Sequence, residues 1–140
     1  MGTPKNFNIP KEVEKNCFFI DKVSQKESVE MMRTADINLL IQPFVGRKGV
    51  YTGKIFDYLS VQKPILAVID KEDVAADLIK ETNAGYIADF NSTFEIESAL
   101  QTAIKNWKNH VIPQMDLDKI EKLHRKYQVK KIEHLIEKIS

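Results

Sequence analysis

Gln62-Lys63-Pro64-Ile65-Leu66-Ala67-Val68-Ile69-Asp70 decides the fold class, because five consecutive apolar residues stand between a proline that stops a helix and a charged turn. A run this short and this uniformly apolar is too brief for a helix core. It suits a strand of a parallel sheet, covered by helices on both faces. Just upstream, Gly53 to Val61 places Ile55, Phe56 and Leu59 on one helical face, with Thr52 as its expected cap. Just downstream, a second helix is expected from about Asp73 to Thr82. Asn83-Ala84-Gly85 stops it, with Gly85 suited to the left-handed conformation, and Gly85 to Ala88 reads as a further short strand.

The alternation continues in both directions. Toward the N-terminus, Ile37-Asn38-Leu39-Leu40-Ile41 is a strand, and Ser24-Gln25-Lys26-Glu27 has the spacing of a capping box that opens a helix running to about Thr34. Cys17-Phe18-Phe19-Ile20 is expected to be a buried strand before it, which makes Cys17 a core residue. Toward the C-terminus, Ser92-Thr93-Phe94-Glu95 is a second capping box. Ile96, Leu100, Ala103, Ile104 and Trp107 then keep helical spacing to about Asn109. Beyond Pro113, residues 114–140 form a helical tail of one or two helices carrying Ile120, Leu123, Tyr127, Ile132, Leu135, Ile136 and Ile139. Its apolar stripe suits packing on its own domain, or a partner. The expectation is therefore an α/β domain, with a Rossmann-like parallel sheet of about four strands and flanking helices, whose ligands sit at the carboxyl ends of the strands.

Composition limits the function classes. The chain has 140 residues and a formal net charge of +1, with 43% hydrophobic residues, which suits a single domain with its own core. Without a basic face or tail it offers no case for nucleic-acid binding. Its apolar stretches are about five residues long, far short of the roughly 20 that span a membrane. A single cysteine suits a reducing compartment, so a cytoplasmic location is expected. Residues Met1 to Thr3 read as a cloning remnant.

Three of the five glycines, Gly46, Gly49 and Gly53, fall in the loop that joins the Ile37 strand to its helix. With Arg47, Lys48 and Lys54 they supply adaptable backbone, positive charge and a helix start. These are the ingredients of a phosphate site, since first-turn amides lack intrahelical acceptors and carry partial positive charge. The same composition also suits a solvated turn. It is not a Walker A loop, because Ile55 replaces the hydroxyl residue after Lys54. His110, His124 and His134 match no metal spacing, and Asp70, Glu72, Asp73 and Asp77 read as acids favoured at a helix start.

Thr52-Gly53-Lys54-Ile55-Phe56-Asp57-Tyr58-Leu59-Ser60-Val61-Gln62-Lys63-Pro64-Ile65-Leu66-Ala67 resembles the donor-site segment of GT-B glycosyltransferases of family four. Met32 to Ile41 is similar to that family's helix ending in Ala-Asp before a strand, and Asp77 to Ile87 to its later helix and glycine turn, so the resemblance covers roughly Phe18 to Leu100. It implies a partial GT-B C-terminal domain that binds a nucleotide-sugar donor, in a retaining enzyme of the hexosyltransferase type that serves bacterial surface polysaccharide synthesis. By the same resemblance Tyr51, Thr52, Gly53 and Lys54 face the donor diphosphate. Asp57, standing where the family has a glutamate, holds the ribose hydroxyls; the bland alternative for Asp57 is an exposed helix residue. The family's first acid falls on Gly49, leaving Lys48, Gly49 and Thr52 as the residues beside the sugar, and Tyr58 is expected to pack. No cofactor and no metal are implied, the donor being the substrate.

The resemblance further implies two strand-helix units before Cys17 and an N-terminal acceptor domain, neither present in these 140 residues. The expected object is a truncated C-terminal piece, inactive alone, membrane-associated only within the full-length form. An uncovered parallel edge would then invite self-association. Two rival readings stand beside it: a sugar-nucleotide epimerase of the same fold, and a non-catalytic binding or assembly module.

Overall fold

A computed structural model describes residues 9–42 and 48–139. The elements follow one another as α1 (Lys11–Glu14), α2 (Gln25–Thr34), β1 (Asn38–Gln42), α3 (Gly53–Ser60), β2 (Ile65–Ile69), α4 (Val74–Glu81), β3 (Gly85–Asp89), α5 (Thr93–Lys108), α6 (Leu117–Lys122) and α7 (Arg125–Ile139). The three strands form one parallel sheet in the order β1-β2-β3, with Leu40 opposite Ala67 and Ala67 opposite Ile87. The architecture is α/β and consistent with a Rossmann-like sheet.

Because side chains alternate along a strand, the two sheet faces have separate contents. Leu40, Ile65, Ala67 and Ile69 point to one face, where they join Ile55 and Leu59 of α3, Ala75, Ala76 and Ile79 of α4, and Ile120 of α6 in a single buried cluster. The opposite face carries Leu39, Ile41, Leu66, Val68, Tyr86 and Ala88, and α5 packs over it on β3 and β2. The tail thus crosses beneath the sheet between α5 and α6. It is fastened there by Asn83 Nδ2 donating to the Gln114 carbonyl and by the Asp116 amide donating to the Thr82 carbonyl.

Four of the helix starts are capped by side chains. Ser24 and Glu27 make the reciprocal box at α2, and Asp73, Ser92 and Asp116 accept first-turn amides at α4, α5 and α6. At α5 only half of the expected box forms. Ser92 Oγ accepts from the Glu95 amide, but the Glu95 carboxylate turns to the Asp89 amide and to Lys71 Nζ at 2.7 Å. Those bonds, the one to Lys71 first, hold its pKa below the ordinary value. A depressed carboxylate contributes stability above the unfolded pKa and loses it as the pH falls through the folded one. Glu95→Gln should therefore lower the urea midpoint at pH 7, and the gap to the parent should close at pH values below about 4.3, the ordinary glutamate value. A gap that persists there unchanged would show that the charge is not involved.

Three sequence expectations are corrected. Cys17-Phe18-Phe19-Ile20 is not a strand, so among the described residues the sheet has three strands rather than about four. Cys17 is exposed, and Phe18, Phe19 and Ile20 are 86%, 60% and 54% exposed. Apolar composition alone does not make a strand; the backbone needs a partner edge. One of the two sheet edges, on β1, is partly taken. Its Asn38 amide donates toward β2, to the Pro64 carbonyl, so Leu39 and Ile41 turn their backbone outward, and there the Tyr58 hydroxyl donates to the Leu39 carbonyl at 3.2 Å.

In the turn after α4, finally, the left-handed residue is Asn83, with φ 49°, rather than Gly85. Gly85 itself has φ 158°, extended but on the positive side that side chains rarely adopt, and space makes glycine obligatory there. A Cβ there would lie 2.0 Å from the Ile65 carbonyl oxygen and 2.6 Å from the Ile65 nitrogen. Only a residue without a side chain lets β3 start this close to β2.

Candidate functional site

The sequence placed its candidate site on the loop between β1 and α3, at the carboxyl ends of the strands. Part of that loop, with Phe44, Val45, Gly46 and Arg47, lies outside the described residues. The two residues after that part are both engaged by acids. Gly49 adopts φ 81°, and its amide donates to Asp73 Oδ1 at 2.7 Å, while Lys48 Nζ lies 3.2 Å from both Asp70 and Glu72. The hydrogen bond to Asp70, then that to Glu72, raises the Lys48 pKa, and Asp70 is lowered by the Glu72 amide and by Lys48. The loop is thereby clasped to the turn between β2 and α4.

The sequence alone reads those three acids as partners of the α4 dipole. For Asp73 this holds, since its Oδ1 also accepts the Val74 amide at 2.8 Å. Its second partner, Gly49, is 24 residues away and could not be seen from local spacing.

α3 begins next to this clasp and differs from its neighbours. Thr52 occupies the cap position in extended conformation, yet its side chain makes no capping hydrogen bond. Its hydroxyl oxygen is buried without a hydrogen-bond partner among the described residues, as is Gln42 Oε1 at the end of β1. Buried polar atoms are paired in the great majority of cases, so two such oxygens near one helix start are notable. The Gln42 amide reaches the Val50 carbonyl only at 3.4 Å.

The predicted residues fall on α3 and its approach. Tyr51 is half-exposed, its ring meeting Phe56 edge-on at 5.5 Å. Gly53 opens the helix in open space, where an added Cβ would meet nothing within 4 Å. Lys54 and Asp57 are exposed, three residues apart, and neither makes a hydrogen bond or ion pair through its side chain among the described residues. Ile55 and Leu59, four apart, anchor the opposite face of the helix in the core. Tyr58 packs, its hydroxyl on the Leu39 carbonyl and its pKa raised by burial and then by Asp57. Tyr51 to Lys54 and Asp57 are thus brought along one helix start, while Lys48 and Gly49 are engaged by acids.

A further cleft lies elsewhere, at the amino ends of the strands. It measures about 290 Å³ and lies between the starts of β1 and β2 and the last turn of α5, with Asp36, Lys63, Pro64, Trp107 and Ile112 in its wall. No local motif announces it because four separate segments build it. Among the described residues no group of three or more His, Cys, Asp or Glu could hold a metal ion, and no helix is long and apolar enough to cross a membrane.

Fold and site together define an α/β chain with a three-stranded parallel sheet and an uncapped helix start at the carboxyl ends of its strands. Comparison with protein-family models, with curated proteins and with solved structures finds no match to this chain.

Proposed function

We propose that the start of α3 binds the diphosphate of a nucleotide-sugar, and that the chain is the donor-binding part of a retaining glycosyltransferase. The observation that carries this reading is the bare N-terminus of α3. Its cap residue leaves the first-turn amides without a side-chain acceptor, at the end of a parallel sheet where anions bind most readily. The resemblance of Thr52 to Ala67 to the donor segment of family four supplies the chemical class. Lys54, one residue into the helix and without a side-chain partner among the described residues, would add full charge to the amides of Tyr51 to Gly53. Asp57, one turn on, would accept from two vicinal ribose hydroxyls. The domain would then lend electrostatic stabilisation to a leaving diphosphate rather than a nucleophile.

A second reading, a non-catalytic binding module, is favoured by the clasp. Lys48 and the Gly49 amide are held by Asp70, Glu72 and Asp73, which sets three acids near the expected sugar position.

Ligand-observed NMR with UDP, GDP, ADP and dTDP tests the first reading. One nucleotide should bind selectively, and Lys54→Ala and Asp57→Ala should each weaken it by about 10-fold to 100-fold, the size expected for a hydrogen bond to a charged group. Lys48→Ala should leave binding nearly unchanged, its charge being already spent on acids. Absence of binding at millimolar nucleotide, or equal affinity in all variants, would sink the donor-site reading.

A further inference from the structure

Two apolar surfaces of this chain stand half-exposed, and they lie on opposite sides of the sheet. The first is a groove beside α5. Leu39 and Ile41 share their sheet face with Leu66 and Ala88, which are buried, yet they are 52% and 61% exposed because α5 covers β3 and β2 rather than β1. Trp107 and Ala103 border the same cleft as Ile37, so that flank of α5 faces β1. Leu100 and Ile104 precede Trp107 by seven and three residues and therefore lie on that flank. They are 44%, 41% and, for Trp107, 51% exposed. A parallel strand is normally covered on both faces, and here one face of β1 is open.

The second surface is α7, 15 residues of helix whose Val129 and Ile132, three apart, are 52% and 56% exposed. α7 follows α6 after Leu123 and His124, and α6 sits on the other face of the sheet, with Ile120 in the core beside Leu40 and Ile55. The sheet therefore separates the base of α7 from the groove of its own chain. A helix of 15 residues is about 22 Å long, ample for a groove whose strand wall, Ile37 to Ile41, runs about 13 Å.

We infer that α7 of one copy seats its apolar stripe in the groove between α5 and β1 of a second copy, and that the exchange is reciprocal. Area decides between one contact and two. Five half-exposed large apolar side chains offer roughly 500 Å². With about 200 Å² more from Val129 and Ile132, one groove and its helix bury about 700 Å² in total, short of the roughly 1,200 to 2,000 Å² of a stable interface, whereas two symmetric contacts, about 1,400 Å², reach it. The pairing differs from addition of a strand to the β1 edge, the self-association expected from sequence, because Tyr58 occupies the Leu39 carbonyl on that edge.

Sedimentation equilibrium on the full chain should show a mass twice the 16.1 kDa monomer at concentrations of tens of micromolar. Ile132→Asp, on the helix, and Ile104→Asp, on the groove, replace exposed residues and should each give a folded monomer by circular dichroism. The two variants mixed keep one intact contact, too small for a stable dimer but enough for weak pairing at the near-millimolar concentrations of NMR. NMR of labelled Ile132→Asp, titrated with unlabelled Ile104→Asp, should then shift resonances of Leu39, Ile41 and Leu100. A parent chain that stays monomeric overturns the inference, as does a dimer indifferent to either substitution. Groove resonances that do not move in the mixture overturn it too, leaving the groove to strand addition or to another protein.

Discussion

Gly85→Ala should be the most damaging single-methyl change in this protein, costing at least about 3 kcal/mol and lowering the urea midpoint steeply. The added Cβ would stand 2.0 Å from a backbone oxygen and 2.6 Å from a backbone nitrogen of Ile65, and backbone atoms inside a ladder cannot rotate away as a side chain can. Relief requires β3 to move off β2. The Ile65 amide, which donates to the Ala84 carbonyl, would lose its partner at the same time. Against a typical total stability of about 5–15 kcal/mol, the loss is a large fraction. Urea unfolding followed by circular dichroism measures it. A midpoint within experimental error of the parent would mean that β2 and β3 are not held at this spacing.

Ile55→Ala should cost about 2–5 kcal/mol, the range for emptying a fully buried aliphatic site, and should carry a functional signature as well. Ile55 is 0% exposed and lies three residues after the Thr52 cap, in the cluster with Leu40, Leu59 and Ile120. It is the residue that presses the start of α3 against the sheet. Removing it loosens the helix whose amides are proposed to hold the diphosphate, so nucleotide affinity should fall along with the unfolding midpoint. Ile79→Ala, equally buried but on α4, should cost similar stability while sparing nucleotide binding. If both variants lose affinity alike, binding follows global stability and α3 has no special part in it.

Much of the fold was legible because its determinants are local. β2 was read at Ile65 to Ile69 and found there, since a five-residue apolar run behind a proline leaves few other conformations. α2 opens at the box of Ser24 and Glu27, where two side chains and two amides three residues apart satisfy one another without outside help. The helix beginning at Gly53 was read from Ile55, Phe56 and Leu59; Ile55 and Leu59 are in the core, whereas Phe56 is exposed. Asn83, Ala84 and Gly85 were recognised as a stop, but the left-handed conformation assigned to Gly85 falls on Asn83. Glycine can serve a turn by its φ or a packed interface by its lack of a side chain, and spacing does not distinguish the two.

The candidate site was legible only in part. The cap position, the lysine and the acid of α3 lie within six residues of one another in the chain, so they could be named together. The acids that hold Lys48 and Gly49 stand more than 20 residues away, and only the parallel pairing of β1 with β2 brings them there.

By itself, then, the amino-acid order determined the alternation of strands and helices, the caps and the helix start on which the proposed anion site rests. These follow from periodicity and from hydrogen bonds between residues within a turn of each other. Tertiary structure alone decided that Cys17 to Ile20 stays outside the sheet, that β1 is an edge strand among the described residues with one face exposed, and that Gly85 must be bare. Each of those depends on whether a distant segment arrives to supply a backbone partner or to exclude water, and no local pattern encodes that arrival.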